Sequence, residues 1–382
     1  MRPKQSILTL LAAGAAVAAL ACAGEKSDAA GGAAAGASNG AVAGGAAAAS
    51  DTDAAGAAGA TAANAGPVGP TTDLEPNELG RVPVLEYHLI GEKESMWMVE
   101  REHFKRQLQL LYDRGYRPVT MKQVLDKKID LPRGTSPVVF TFDDASQQQF
   151  SYIERNGQLE IDPKSVVGIW LDFRKRNPQW TNSAVFCTLN GGEAGHNFFG
   201  DKGIDGQKTE WRHRKVKFLA DSGFELCNHT LWHMQLSKYP DAAVQEQIMR
   251  GEMGIDSVVP GYDVRTFALP QGLWPKNRQL AWQGSWTDPK TGKAHSYKYD
   301  AVLEVSGGPA RSPHDPQFNG HSVPRVIVKG NDLERLLDQL DKNRSRYVSD
   351  GDPNAVARPT QSAQAAPGAQ PAQPAQPAAA RP

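Results

Sequence analysis

Pro137-Val138-Val139-Phe140-Thr141-Phe142-Asp143-Asp144 is an almost unbroken apolar run that ends in two adjacent carboxylates. A short run without polar alternation reads as a strand buried on both faces. Similar runs stand on either side: Val82 to His88, Ala184 to Leu189, Phe224 to Asn228, Thr266 to Leu269, Ala301 to Val305 and Val323 to Val328. Helical spacing separates them. It covers Glu102 to Arg114, with Phe104, Leu108 and Leu111 on one side, and Asp332 to Lys342, with Leu333, Leu336, Leu337 and Leu340. The segment from Ser146 to Asn182 is long for one crossover. Two helices are expected in it, near Gln148 to Asn156 and near Ser165 to Arg176, as an insertion overhanging the site. Strands interleaved with helices predict an α/β fold with a parallel sheet. Closed into a barrel, such a sheet presents its functional groups at the carboxyl ends of the strands. The polar residues at those ends are His88, Asp143, Asp144, His229 and Gln271.

Two of these positions suggest a metal. His229-Thr230-Leu231-Trp232-His233 sets two imidazoles four residues apart. On a helix that spacing places them on one face, where they could share an ion or simply form a surface pair. Asp143-Asp144 taken alone reads better as a helix N-terminus, where Asp is a common cap. Together, two histidines and one carboxylate make a three-ligand site with a position left for water. The second carboxylate then suits a general base, and an acid on the far side must protonate the leaving group.

Thr141-Phe142-Asp143-Asp144, His229-Thr230-Leu231-Trp232-His233 and Phe267-Ala268-Leu269-Pro270-Gln271-Gly272 resemble the first three motifs of the polysaccharide deacetylases of carbohydrate esterase family 4. The resemblance spans roughly Val82 to Asn343. It implies a distorted (β/α) barrel with the family's catalytic domain (the NodB homology domain). It implies Asp143 as catalytic base and Asp144, His229 and His233 as ligands of a divalent metal, commonly zinc. The backbone N–H of Gln271, after Pro270, would hold the oxyanion, with Trp274 lining the groove; Trp170, Trp180 and Trp282 are expected in the core. Some positions depart from the family pattern. Ala145 replaces the usual glycine, and Gln271 the usual tyrosine. Ala268 stands where an arginine commonly orients the base, leaving Arg325 or Arg265 as substitutes. The usual carboxyl-terminal Leu-Leu-His is missing, whereas Leu85-Glu86-Tyr87-His88 ends the first strand. That order resembles the circularly permuted branch, which includes poly-N-acetylglucosamine deacetylases, and assigns the acid to His88 ahead of His314 and His321.

The ends of the chain differ from its middle. Residues 1–21 read as a lipoprotein signal peptide, with Arg2 and Lys4 before an apolar run too short to span a membrane comfortably. Ala19-Leu20-Ala21-Cys22 resembles a lipobox, so Cys22 is expected to carry lipid. Residues 22–75, rich in Ala and Gly, read as a flexible tether, 76–348 as the folded domain, and 349–382 as a disordered Pro/Ala/Gln-rich tail. An exported, membrane-anchored protein of the bacterial cell envelope is implied. With 42 basic and 42 acidic residues the chain has no net charge, so nothing favours a nucleic acid or an anionic membrane surface as partner. Cys187 and Cys227 both lie in apolar strands, and buried free thiols are expected there rather than a disulfide. The expected activity is hydrolysis of N-acetyl groups on an acetylated glycan; the alternatives are an O-acetyl esterase on xylan or another wall polymer and a degenerate glycan-binding barrel.

Overall fold

Seven short strands pair in parallel and close on themselves. They are β1 (Val84–Tyr87), β2 (Ser136–Phe142), β3 (Val185–Thr188), β4 (Glu225–Asn228), β5 (Thr266–Ala268), β6 (Ala301–Gly307) and β7 (Val323–Ile327). The order around the ring is β1-β7-β6-β5-β4-β3-β2, and β2 pairs back to β1. The computed structural model describes residues 69–190, 198–200 and 203–359. A further strand, Tyr116–Pro118, adds in parallel to the start of β2. The expected barrel is therefore present, and each of its seven strands falls on one of the apolar runs read from sequence.

Period-2 alternation explains why those runs are apolar throughout. Leu85, Tyr87, Phe140, Phe142, Phe186, Leu226, Phe267 and Val302 face outward. They pack against α1 (Arg101–Asp113), α3 (Val166–Arg176), α4 (Arg212–Asp221), α5 (Asp241–Asp256) and α6 (Asp332–Lys342). Val84, Val139, Val185, Cys187, Cys227, Ala268, Ala301, Leu303 and Val323 form the second, inner cluster. Each large apolar side chain taken out of water contributes about 1.5 to 3 kcal/mol. Short α2 (Met121–Leu125), opened by a Thr120 capping box, adds Met121 and Val124 to the inner cluster. Buried Glu225 accepts from the Lys122 amide at 3.0 Å and from Thr266 Oγ1 at 2.7 Å, so its carboxylate is satisfied at the amino end of β4.

Two expectations need correction. Gln148 to Asn156 is not a helix: Tyr152–Arg155 and Gln158–Ile161 form an antiparallel hairpin. Asn156 and Gly157 turn it with φ of 52° and 74°, and an Asn-Gly pair favours that left-handed turn over continued helix. Cys187 and Cys227 are not free; they form a disulfide. Parallel register sets the two residues directly opposite each other on adjacent strands, both pointing inward. Residues near both ends of the described stretch also make hydrogen bonds with the rest of the chain. Gly69 N–H donates to Gln179 Oε1 at 3.0 Å, and Thr72 N–H to Gly134 O at 2.8 Å. At the other end Ser349 is buried, and Glu78 N–H donates to Ala357 O at 2.9 Å. The signal segment, Cys22, most of the tether and the last residues of the tail lie outside the described residues.

The disulfide spans 40 residues of sequence, a separation whose closure restricts the unfolded chain by about 4 kcal/mol. Cys187→Ala/Cys227→Ala should lower stability by about 2 to 4 kcal/mol in urea unfolding. Reductant should lower the midpoint of the parent protein and leave that of the double variant unchanged.

Candidate active site

At the carboxyl end of the barrel the inward positions change from apolar to charged: Glu86 on β1, Asp143 after β2, His229 after β4 and Arg325 on β7. All four are buried. Asp143 extends the strand pattern, its N–H donating to Tyr87 O at 3.0 Å. Asp144 and Ala145 then leave the strand with φ of 77° and 50°. Left-handed backbone costs a non-glycine residue about 1 to 2 kcal/mol, so this turn is held by its surroundings. Phe199 N–H bonds to Ala145 O at 2.8 Å.

The two imidazoles come from a loop rather than a helix face, correcting the spacing-based reading. Thr230 and His233 have φ of 74° and 55°. Asn228 Oδ1 accepts from Thr230 N–H at 2.9 Å, Thr230 Oγ1 from His233 N–H at 3.1 Å, and Gln247 Oε1 from Trp232 N–H at 3.0 Å. The left-handed steps fold the pentapeptide back, and the ring centroids of His229 and His233 lie 4.9 Å apart.

Asp144, His229 and His233 converge. His229 Nε2 and His233 Nε2 lie 3.4 and 3.6 Å from the same Asp144 oxygen, Oδ1. His229 Nδ1 donates to Ala268 O at 2.9 Å, which leaves Nε2 as the ring nitrogen facing Asp144. Asp144 Oδ1 and His229 Nε2 are buried without a hydrogen-bond partner. Buried polar atoms are seldom left so, and one carboxylate with two imidazoles is a donor set that suits a divalent ion. Burial favours neutral forms here, yet the charges hold one another. The His229 imidazole keeps the Asp144 carboxyl well below the usual carboxylate range against the effect of burial. Burial lowers His229, but Asp143 and Asp144 outweigh it and the ring is raised. Burial and the charge of His229 push His233 down to about 4.

Beside this trio Arg325 grips Asp143 with both arms, Nη1 to Oδ1 at 2.9 Å and Nη2 to Oδ2 at 2.8 Å. It also donates to Thr141 Oγ1 at 2.9 Å and Glu304 O at 2.6 Å. Burial would raise Asp143, but the guanidinium holds its carboxyl below the ordinary value. Of the two arginines left open by sequence, Arg325 is the one at the site. Arg265 pairs with Asp300 and Asp126, at 2.7 and 2.8 Å. Glu86 lies 3.2 Å from Arg325 Nη2 and 3.6 Å from His88 Nε2, and neither of its oxygens has a hydrogen bond. Burial pushes Glu86 up to about 8 against the pull of Arg325, with the Asp143 charge adding to the rise. Burial lowers His88, opposed by Asp143 and Asp144.

Gln271 sits in the short turn Pro270–Gly272 with φ of 57°, and its side chain accepts from Gln235 at 2.6 Å, two residues beyond His233. Trp274 is half-buried with the Arg278 guanidinium 3.8 Å above its ring. Trp170 and Trp180 are fully buried. His321 stacks on Trp282 at 4.7 Å, and Lys127 is the charged group acting on His314. Two residues escaped the sequence reading as site members. Glu86 carried a signal, as a carboxylate inside a strand otherwise buried on both faces. Gln149, whose side-chain amide donates to both His88 O (2.8 Å) and Asp143 O, carried none.

Residues 181–283, which hold β3 to β5 and the histidine loop, match the polysaccharide deacetylase family. The family resemblance read from the motifs is thus found independently over that stretch. No curated protein matches the chain. Similar solved structures include the Streptococcus pyogenes deacetylase PplD in complex with acetate, at 17% identity and a TM-score of 0.47, covering 68% of this chain and 97% of that one. IcaB from Ammonifex degensii shares 19% identity at a TM-score of 0.45, over 68% and 96% of the two chains. The BpsB deacetylase domain from Bordetella bronchiseptica shares 14% at 0.42, over 66% and 98%.

Metal-stripped protein should rebind one zinc ion per chain by calorimetry, and Asp144→Ala or His229→Ala should weaken that binding by about 100-fold or more. Glu86 generates a pH test in the metal-free protein. Its folded value of about 8 lies above the ordinary 4.5, so the folded chain holds the proton more tightly than the unfolded one. The stability this contributes is full below the ordinary value and is lost as pH rises toward about 8. Glu86→Gln lacks that loss. Urea unfolding should therefore show the variant gaining on the parent protein across the interval.

Proposed function

We propose that the protein is an exported, metal-dependent polysaccharide deacetylase that removes N-acetyl groups from an amino-sugar polymer at the cell envelope. One observation carries the reading: a half-buried carboxylate and two imidazoles share a focus where Asp144 Oδ1 and His229 Nε2 are buried without partners, while a second carboxylate is clamped alongside. Asp144, His229 and His233 would hold the ion, with zinc the expected metal for one oxygen and two nitrogen donors. A divalent ion there supplies Lewis acidity toward the acetyl carbonyl and toward water.

Asp143 takes the proton of the attacking water. The bidentate Arg325 fixes the direction in which it accepts. The backbone N–H of Gln271 donates to the developing oxyanion. His88, in one cluster with Glu86 and Asp143, gives a proton to the amine nitrogen as the C–N bond breaks, leaving acetate and a free amine. The position of His88 at the end of the first strand, ahead of the paired aspartates, supports a place in the circularly permuted branch. Export and lipid attachment at Cys22 rest on the N-terminal sequence. No helix among the described residues is long and apolar enough to cross a membrane.

Acetate release from N-acetylglucosamine oligomers and from acetylated xylan, each with and without chelator, tests the reading. Chelator-sensitive release from the first substrate is expected. Asp143→Asn should lower kcat by about 100-fold to 10,000-fold with metal content unchanged. Release from xylan alone would replace the N-acetyl assignment with an O-acetyl one.

A further inference from the structure

Among the described residues the large hydrophobic side chains left exposed are Met96, Trp97, Trp232, Tyr239 and Val356. Both tryptophans of this set border the site. Trp97 is 44% exposed, and its ring centroid lies 4.8 Å from that of His88. Trp232 is 53% exposed and immediately precedes His233. An indole left in water forgoes a large burial gain, so two at one mouth ask for an occupant.

Neither sits on loose chain. Leu89 N–H donates to Trp97 O at 3.0 Å, and Leu89–Gly91 pairs with Met98–Glu100 on the other side of the tryptophan. Gln247 accepts from the N–H groups of both Leu231 and Trp232, each at 3.0 Å. Their placement in the barrel matters as much. Trp97 follows β1 and Trp232 follows β4, strands separated by β2 and β3 on one side of the ring and by β7, β6 and β5 on the other. The two aromatic groups therefore follow strands on different sides of the ring, one beside His88 and the other next to His233.

We propose that Trp97 and Trp232 are stacking platforms for the sugar rings on either side of the one being deacetylated. The C–H face of a pyranose is apolar, flat enough to lie on an indole, and leaves the hydroxyls in water. The inference rests on the deacetylase reading and deepens it: the site takes internal residues of a chain of three or more sugars and handles shorter substrates poorly.

The test is the ratio of kcat/KM on the N-acetylglucosamine pentamer to that on the dimer, with zinc-loaded full-length protein. The ratio should fall about tenfold in Trp97→Ala and in Trp232→Ala, mainly through KM. Trp97→Tyr and Trp232→Tyr, which keep an aromatic face, should restore most of it. An unchanged ratio in the alanine variants, or a fall that tyrosine does not rescue, overturns the platforms while leaving the deacetylase intact. Wild-type protein that releases no acetate from oligomers of any length removes both readings together.

Discussion

A guanidinium buried inside a barrel sets the terms for everything around it. Arg325 has no access to solvent, and burying such a charge is tolerable only with full compensation. Asp143 provides a bidentate pair, Thr141 and the Glu304 carbonyl take further donors, and Glu86 stands within ion-pair distance. Two carboxylates competing for one cation divide unequally. Asp143, with both hydrogen bonds, stays charged, whereas Glu86, with none, is pushed toward its protonated form. A strongly acidic group and a weakly acidic one thus come to lie side by side, and His88 sits next to the second. Separation of that kind between neighbouring groups is what acid–base chemistry requires.

The convergence of Asp144, His229 and His233 depends on unusual backbone conformations. Asp144, Thr230, His233 and Gln271 all have positive φ without being glycine. Each step costs energy locally, and side-chain hydrogen bonds hold three of them, from Asn228 to Thr230, from Thr230 to His233 and between Gln235 and Gln271. Asn228 shows how far the support reaches. Its Oδ1 fixes Thr230, while its Nδ2 donates to Ile248 O and to the Tyr299 hydroxyl, which in turn donates to Glu252. The histidine loop is tied in this way to α5 and to the chain just before β6.

What the sequence alone determined follows from periodicity and from local chemistry. A strand buried on both faces must be apolar at every position, so all seven barrel strands were legible, and Leu333, Leu337 and Leu340 marked α6 by their spacing. Asp143, Asp144, His229, His233 and His88 were legible as candidates because polar residues at the ends of such strands have no packing role to explain them. The Asn156-Gly157 turn was also written in the sequence, although its signal was overridden by the length of the segment.

The tertiary structure decided whatever depends on which strands are neighbours. Cys187 and Cys227 pair only because β3 and β4 are adjacent and in register, which their 40-residue separation does not encode. Arg325 meets Asp143 because ring closure sets β7 beside β1, and β1 beside β2. Arg265, equally plausible along the chain, emerges where Asp126 and Asp300 take its charge. Spacing could suggest that two histidines share a ligand, but the left-handed turns that bring them together arise from contacts with Asn228 and Gln247, distant in sequence from one another. Local sequence constrains which residues are buried; only closure of the barrel determines which of them meet.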